Sequence, residues 1–347
     1  MSPTIIKNKI LLNVISIVGV CGLFLFLINY DPSNEPSNTT INNTPEGTLI
    51  FAIQADPQMV PPSEASVYKQ TLQNIVKAKP AFLIDLGDIF MIDLLSTKNV
   101  LSITSRFTMM KSFYNLLGSI PLYFVMGNHD GEVGWDTLNT KSYRKKYFPN
   151  ETYDKNYYSF EKEGSLFIVL DPYTYTVTKP DSFGWHWTLG KTQYDWLKAT
   201  LEVSTAKHKF VFIHQLVGGN NKARGVIQFA GLWEWGGNNT DGSYGFDVER
   251  PGWGKPIHQL LLDNKVDIVF KGHDHLYAKQ ELDGIIYQTV PQPSVPEEII
   301  NVTDKEYGYL KGEIISGSGY LKVTVNETNI NVDFIKPDGS VADSYSL

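Results

Sequence analysis

Short, almost entirely apolar runs recur along the chain, and each has the length of a strand that is buried on both faces. The five runs are residues 49–53, 81–84, 122–126, 210–213 and 266–270. Longer segments with apolar residues at helical spacing separate most of them, at residues 63–78, 99–117, 189–203 and 256–262. Strands that alternate with helices in this way predict βαβ units and an α/β fold.

Polar side chains with metal-ligand chemistry follow every one of these strands. In open α/β sheets, binding sites form outside the carboxyl ends of the strands, so we expect these side chains to lie together. They are Asp56, Gln58, Asp88, Asn128, His214, His273 and His275. The last two flank one residue of an extended segment, so both rings can face the same way.

The donor types indicate a site for two divalent metal ions. Carboxylate, amide oxygen and imidazole suit Mn, Fe or Zn better than metals that prefer thiolate, and the one cysteine, Cys21, lies in an apolar leader. A carboxylate such as Asp88 can bridge two ions ~3.5–4 Å apart. Taken singly, an Asp after a strand could cap a helix, Asn128 could be a turn residue, and His214 could be a core histidine. The joint pattern favours a shared metal site.

The order of these motifs, from Asp-x-Gln through Gly-Asp, Gly-Asn-His-Asp and a single His to Gly-His-x-His, resembles the calcineurin-like metallophosphoesterase superfamily. The resemblance covers about residues 48–293. It implies a four-layer α/β/β/α sandwich and hydrolysis of phosphomono- or diesters by a metal-bridging hydroxide. It also implies a first metal held by Asp56, Gln58, Asp88 and His275, and a second held by Asp88, Asn128, His214 and His273.

The same resemblance predicts the residues that act on the substrate. His129 would contact the phosphate and help to protonate the leaving oxygen, Asp130 would orient the ring of His129, and Asn128 would also touch the substrate. A long loop, residues 215–255, starts directly after His214. Its Arg224 is the best candidate for a bidentate phosphate contact.

Two positions depart from the family pattern. Gln58 stands where the family usually has His, and an amide oxygen is the weaker ligand for a transition metal. Met91 stands where the purple acid phosphatase branch has Tyr, so a tyrosinate–iron site is not expected. The departure at Gln58 supports an alternative interpretation, a catalytically degenerate binding or scaffold module that keeps the fold.

The amino-terminal segment predicts a membrane anchor. Residues 10–28 form a nearly unbroken apolar run without charge, which as a helix spans ~28 Å, enough for a bilayer core. Lys7 and Lys9 precede the run, and the positive-inside rule then places residues 1–9 in the cytoplasm and the rest outside. Residues 29–47 read as a flexible stalk before a catalytic domain at 48–347. The alternative is a cleaved signal peptide and a secreted protein.

Composition adds limits on partners. The chain has 347 residues, 42% of them hydrophobic, and a net charge of −7 without a basic stripe. A nucleic-acid surface is therefore not expected. The resemblance implies a phosphoester substrate. The oligomeric state is left open. At the end of the chain, residues 319–325 and 330–335 alternate and predict a β-hairpin that finishes the second sheet of the same domain.

Overall fold

The computed structural model of the protein describes residues 47–58, 65–89, 100–130, 156–178, 183–219, 224, 226–296 and 307–347. No helix within these segments is long and apolar enough to cross a membrane. The predicted anchor at residues 10–28, nearly all of the predicted stalk and Met91 lie outside the described residues. The span from Pro45 to Leu347 is one compact unit.

The described segments contain fifteen strands. They are β1 (Leu49–Gln54), β2 (Leu83–Asp85), β3 (Leu122–Phe124), β4 (Tyr158–Lys162), β5 (Ser165–Val169), β6 (Thr174–Tyr175), β7 (Trp187–Thr188), β8 (His208–Ile213), β9 (Ile268–Lys271), β10 (Tyr277–Leu282), β11 (Ile285–Thr289), β12 (Glu313–Ile315), β13 (Tyr320–Val325), β14 (Ile330–Ile335) and β15 (Val341–Ser346).

Seven α-helices occur in the same segments. They are α1 (Ala65–Ala78), α2 (Val100–Tyr114), α3 (Lys191–Val203), α4 (Ile227–Ala230), α5 (Trp233–Gly236), α6 (Phe246–Glu249) and α7 (Ile257–Asp263), with 3-10 turns at Asn115–Leu117 and Gly184–His186. The predicted strands and helices are confirmed, and the ends that the structure describes differ from the prediction by about two residues. A 3-10 turn forms the last residues of the helix predicted at 99–117.

Two mixed sheets carry the fold. In the described residues the first sheet has the order β15-β14-β13-β1-β2-β3, and the second has the order β12-β10-β11-β9-β8-β5-β4. Strands β1, β2 and β3 are parallel, as are β5, β8, β9 and β11. A separate two-stranded ribbon joins β6 to β7.

The inner faces of the two sheets pack on each other through aromatic side chains. Phe51 of the first sheet stands edge-on to Phe167 of the second, with ring centroids 5.2 Å apart. Phe82, Phe210 and Phe212 join the same fully buried cluster. Because alternate residues of a strand point to the same face, Phe51 and Ile53 fill this layer while Ala52 faces the opposite side.

Helices cover both outer faces. The apolar face of α1, with Tyr68, Leu72 and Ile75 at helical spacing, packs with α2 on the first sheet. Helices α3 and α7 pack on the second sheet. The layers are therefore α/β/β/α, as predicted. The carboxylate of Asp85 is buried under the first helical layer, where Gln54 and Tyr114 donate hydrogen bonds to it.

The carboxy-terminal hairpin is confirmed, but its predicted place in the second sheet is wrong. Strand β13 pairs antiparallel with β1, so the hairpin belongs to the first sheet. This pairing covers an edge of β1 that would otherwise expose unpaired backbone groups. Strand β15 was not predicted, because its sequence lacks the apolar alternation of the other strands and only Tyr345 is buried in it.

The segment predicted as a long loop, residues 215–255, contains α4, α5 and α6. A buried ion pair between Glu234 and Arg250 holds it in place. Arg250 also donates to the carbonyl oxygens of Trp185 and Trp187. These two tryptophans and those of α5 are buried, so they pack the segment onto the domain.

Candidate metal centre

The carboxyl ends of β1, β2 and β3 in the first sheet meet those of β8 and β9 in the second. Within the first sheet, Asp56 N–H donates to the Gly87 carbonyl at 2.9 Å. Within the second, Gly272 N–H donates to the His214 carbonyl at 3.0 Å. A third bond joins the two sheets, because His273 N–H donates to Asp56 Oδ2 at 2.8 Å. The five strand ends therefore form one site.

Three side chains form the centre of this site. Ligand atoms of Asp88, His214 and His273 lie within 4.8 Å of one another, and all three residues are buried. His214 Nε2 is 3.3 Å from Asp88 Oδ2. One metal ion could contact all three side chains after small adjustments of the rotamers. Asp88 Oδ2 is also 3.4 Å from Gln58 Nε2, so Asp88 contacts candidate ligands from both sheets.

The other predicted ligands surround this centre. His275 Nε2 and His214 Nε2 lie 3.4 Å and 3.8 Å from Asp56 Oδ1. Asn128 Oδ1 is 3.1 Å from His214 Nε2. The structure thus brings together all seven residues that the strand ends predicted, from both sheets.

Gln58 lies in the cluster with its amide nitrogen toward the other ligands. Its Nε2 is 2.9 Å from His275 Nε2 and 3.4 Å from Asp88 Oδ2. The amide oxygen and nitrogen exchange places when the group turns over. Turned over, the amide would offer Oε1 in the place of Nε2. Ligation by Gln58 stays a prediction.

The backbone of the site is strained. Five of the candidate ligands have left-handed φ values: 54° at Asp56, 40° at Gln58, 54° at Asp88, 74° at His273 and 60° at His275. Residues other than Gly seldom adopt such values, and they persist where the surrounding structure enforces them. The strain is concentrated where the side chains must converge, which indicates a functional site.

Close backbone approach is a second property of the ligand turns. A Cβ atom on Gly127 would lie 2.1 Å from Asp88 Oδ1. One on Gly272 would lie 2.7 Å from Asp56 Oδ2. Gly272 does not have a positive φ, and the left-handed residues beside it are His273 and His275. Gly272 is therefore needed for its small size.

Asp130 holds two of the turns together. Its carboxylate accepts hydrogen bonds from the backbone N–H groups of Asp88, Ile89 and Gly127 at 3.0, 2.9 and 2.8 Å. This supporting role was not predicted, and it fixes the position of the Asp88 turn. The predicted orientation of the His129 ring by Asp130 stays a prediction.

His129 lies at the open side of the cluster. Its backbone N–H donates to Asp88 Oδ1 at 2.7 Å. Its ring nitrogen Nε2 is 4.0 Å from Asp88 Oδ2, and its side chain is 20% exposed, whereas those of His214 and His273 are buried. The ring is thus beside the metal ligands and accessible to a substrate.

The charged and titratable groups of the site shift one another's pKa values. Burial would raise the pKa of Asp88, but the charge of His214 beside it lowers that pKa well below its usual range. Burial would lower the pKa of His214, but Asp88 and Asp56 raise it to about 9. Burial and then the charge of His214 lower the pKa of His273 to about 3. His273 is therefore a neutral ligand near neutral pH.

Asp56 provides the test of whether the residues fit a metal ion. Its carboxylate is fully buried, and its Oδ1 atom accepts no hydrogen bond from the described residues. A buried carboxylate oxygen without a partner is costly, and a coordinated cation removes that cost. The donor set and this oxygen together fit a divalent ion.

A buried ionic network supports the turn that carries His273 and His275. Lys271 Nζ and Tyr309 Oη both bind Asp274 Oδ2, and all three residues are buried. Arg224 lies beside this network, with Nε 3.7 Å from Asp274 Oδ1 and its guanidinium 4.0 Å from the centre of the Tyr307 ring. A phosphate contact by Arg224 stays a prediction. The sequence places Asp274 between His273 and His275, but it does not indicate that Lys271 is buried as the partner of Asp274.

A family model described as calcineurin-like phosphoesterase matches residues 51–277, which is well over half of the chain. The chain belongs to the calcineurin-like phosphoesterase family. The match runs from β1 to the start of β10, so this phosphoesterase segment includes His129 and every candidate ligand. The predicted family is therefore confirmed. No curated protein sequence matches the chain significantly.

Solved structures with the same fold include several phosphatases. The purple acid phosphatase PPD1 from yellow lupin seeds has a TM-score of 0.54 at 18% identity over 86% of this chain, and the chain covers about half, 53%, of that protein. A dimetal phosphatase from Danio rerio has a TM-score of 0.57 at 11% identity, covering 86% of this chain and 98% of that one. GAP50, described as the anchor in the inner membrane complex of Plasmodium, has a TM-score of 0.55 at 16% identity, covering 86% and 88%. At these identities the likeness shows the fold alone.

Proposed function

We propose that the protein is a metal-dependent phosphohydrolase that cleaves phosphomono- or diesters and is anchored in the cell membrane with its catalytic domain outside the cytoplasm. The observation that supports the activity is the buried cluster of Asp88, His214 and His273, whose ligand atoms lie within 4.8 Å of one another. The anchoring rests on the apolar run at residues 10–28 and the two lysines before it.

Two divalent ions, Mn, Fe or Zn, are proposed as cofactors. Asp56, Gln58, Asp88 and His275 would hold one, and Asp88, Asn128, His214 and His273 the other. Side chains within each set lie close together, and the division into two sets follows the family resemblance. Such ions lower the pKa of bound water and polarise phosphoryl oxygens, which is the chemistry they would supply here.

The protein's own groups then perform the remaining tasks. Asn128 and His129 follow β3. Asn128 lies beside His214 and His129 beside Asp88, where they can contact a phosphoryl group. The exposed edge of the His129 ring can give a proton to the leaving alcohol, because imidazole exchanges protons near neutral pH. Asp130 accepts a hydrogen bond from the Gly127 N–H and so fixes the turn that carries His129. Arg224 is proposed as a further phosphate contact.

A substitution of His129 tests this function. Purified protein should contain divalent metal and hydrolyse p-nitrophenyl phosphate, its bis-ester, or both. His129→Ala should keep the metal and lose ~10²–10⁴ in rate, the range for a positioned acid–base group. The loss should be smaller for substrates with very good leaving groups.

His208→Ala is the matched control, because His208 starts β8 at the end opposite to His214. It should keep metal content and rate. If His129→Ala loses its metal, or retains full activity, the assignment of His129 is wrong.

The alternative function is a scaffold that keeps the fold without catalysis. Gln58 in place of the usual His favours a scaffold, and the similarity of the fold to GAP50 agrees with this alternative. Metal-loaded wild-type protein that hydrolyses neither ester would support this alternative. The location can be tested separately by adding protease to intact cells. Digestion of residues 48–347 from outside is expected, and protection of that segment would contradict the proposed orientation.

A further inference from the structure

Tyr173 lies beside the candidate metal centre, in the segment that follows β5. Strand β5 is the parallel neighbour of β8, so its carboxyl end lies next to the turn that carries His214. Asp171 fixes this segment: its N–H donates to Gln193 Oε1 at 2.8 Å, and its Oδ1 accepts the Tyr173 N–H at 3.0 Å. The Tyr173 ring centroid is 6.5 Å from that of His214. The side chain therefore has a defined position at the site.

The hydroxyl of Tyr173 is buried and has no hydrogen-bond partner among the described residues. The residue as a whole is 8% exposed. Tyr158 and Tyr194 are comparably buried, and their hydroxyls donate to the backbone carbonyls of Phe124 and Lys255. A buried hydroxyl normally has a partner in the protein, in ordered water or in a ligand. The position of Tyr173 at the site makes a ligand the relevant partner.

A tyrosine hydroxyl is protonated near neutral pH and can donate a hydrogen bond. Asp88 is already engaged, with Oδ1 accepting the N–H of His129 and Oδ2 beside the ring of His214. The hydroxyl of Tyr173 therefore remains available to a group bound at the site.

We propose that the Tyr173 hydroxyl donates a hydrogen bond to a phosphoryl oxygen of the substrate, or of inorganic phosphate, bound at the metal centre. This inference rests on the proposed phosphohydrolase function. A neutral donor from the second sheet would then act opposite to Asn128 and His129, which come from the first. The bond would favour a phosphoryl group that presents an anionic oxygen toward β5.

The test compares Tyr173→Phe with Tyr194→Phe, since both tyrosines belong to the same core cluster. Calorimetric titration of the metal-loaded proteins with inorganic phosphate measures the affinity. Tyr173→Phe should keep its metal content and bind phosphate roughly 10-fold more weakly, the usual effect of losing one hydrogen bond to a charged group. Tyr194→Phe should bind phosphate as the wild type does.

Urea unfolding of the metal-free proteins gives a second, independent measurement. Tyr173→Phe should unfold at the same or a slightly higher urea concentration than the wild type, because no protein hydrogen bond is lost and a buried hydroxyl without a partner is removed. Tyr194→Phe should unfold at a lower concentration, because it loses its bond to the Lys255 carbonyl. If Tyr173→Phe lowers the urea concentration of unfolding as much as Tyr194→Phe does, Tyr173 has a structural role and the inference is overturned.

The outcomes also separate this inference from the proposed function. Wild-type protein that binds phosphate while Tyr173→Phe binds it equally well would overturn only the role of Tyr173. Metal-loaded wild-type protein that binds no phosphate at all would overturn both.

Discussion

The two sheets supply different halves of the site. The first sheet gives oxygen and amide donors, through Asp56, Gln58, Asp88 and Asn128, whereas the second gives three imidazoles, His214, His273 and His275. The first half is held by backbone hydrogen bonds, with the Asp130 carboxylate joining two turns. The second is held by the buried ion pair of Lys271 and Asp274. The difference shows that one centre can be supported in two physical ways.

Charge explains why the supports differ. Buried carboxylates such as Asp88 are satisfied by N–H donors and by His214, so the first half is stabilised by dipoles and one neighbouring charge. The neutral ring of His273 needs orientation more than charge. Its turn is fixed on one side by Asp56 and on the other by Asp274, which pairs with Lys271. Loss of a first-half carboxylate should therefore affect both halves.

Asp88→Asn should have the largest effect, because Asp88 lies between the two halves. An amide cannot provide two anionic oxygens to two ions, so we expect metal content to fall from about two ions per chain to less than one. Mass spectrometry of the metals in purified protein measures this. Asp247→Asn, an exposed position in α6, is the control and should change nothing. Full occupancy of two sites in Asp88→Asn would exclude a bridging role.

Gly127→Ala should break the first half without removing a ligand. The added Cβ would lie 2.1 Å from Asp88 Oδ1, so Asp88 must move, and we expect a loss of stability of roughly 3 kcal/mol together with weaker metal binding. Gly231→Ala is the control, since a Cβ there meets no atom within 4 Å. Urea unfolding and metal titration apply to both. Equal stability of the two variants would contradict the tight packing of the ligand turns.

Asp85→Asn tests the buried carboxylate that lies between the first sheet and the helices that cover it. Burial raises the pKa of Asp85 from 3.8 to about 7. The folded protein then holds this proton more tightly than the unfolded chain, so the free energy of unfolding should fall as pH rises from about 4 to about 7. Asp85→Asn does not titrate and should flatten that part of the profile. Parallel pH profiles for the two proteins would contradict a raised pKa.

Gln58→His should have the smallest effect and sharpens the comparison by adding an imidazole to the first half. A neutral amide donates less charge to a metal than imidazole does, so the variant should bind one ion roughly 10-fold more tightly. Stepwise metal titration of both forms measures this. If neither binding step of the titration changes, Gln58 is not a ligand, and Asp56 is the only metal ligand of the Asp-x-Gln motif.

The convergence of the seven candidate ligands could be predicted because it depends on local patterns: an apolar run, a turn and a ligand-type residue. Other features depend on distant contacts. The left-handed φ of His273 and His275 could not be read from residue types that rarely adopt it. The support of Asp88 by Asp130 requires two turns from different strands to meet. The same holds for the hairpin, whose alternation predicts strands but not that β13 pairs with β1.

Some missed elements did leave a signal. The β10–β11 hairpin turns at Asp283-Gly284, and both residues have positive φ, as a two-residue type I′ turn requires. Glu163-Gly164 makes the same turn between β4 and β5. An Asp-Gly pair between two apolar stretches is a strong hairpin signal, so the first of these hairpins was predictable from the sequence.

The position of β1 has a consequence for folding kinetics. Its two neighbours in the first sheet are β2, which follows soon after it in the chain, and β13, which lies near the carboxyl terminus. The strand that carries the first ligand motif can therefore complete its pairing only when nearly the whole chain is available. Such non-local pairing slows folding. A chain interrupted before β13 would contain every candidate ligand and still lack the frame that holds Asp56 in place.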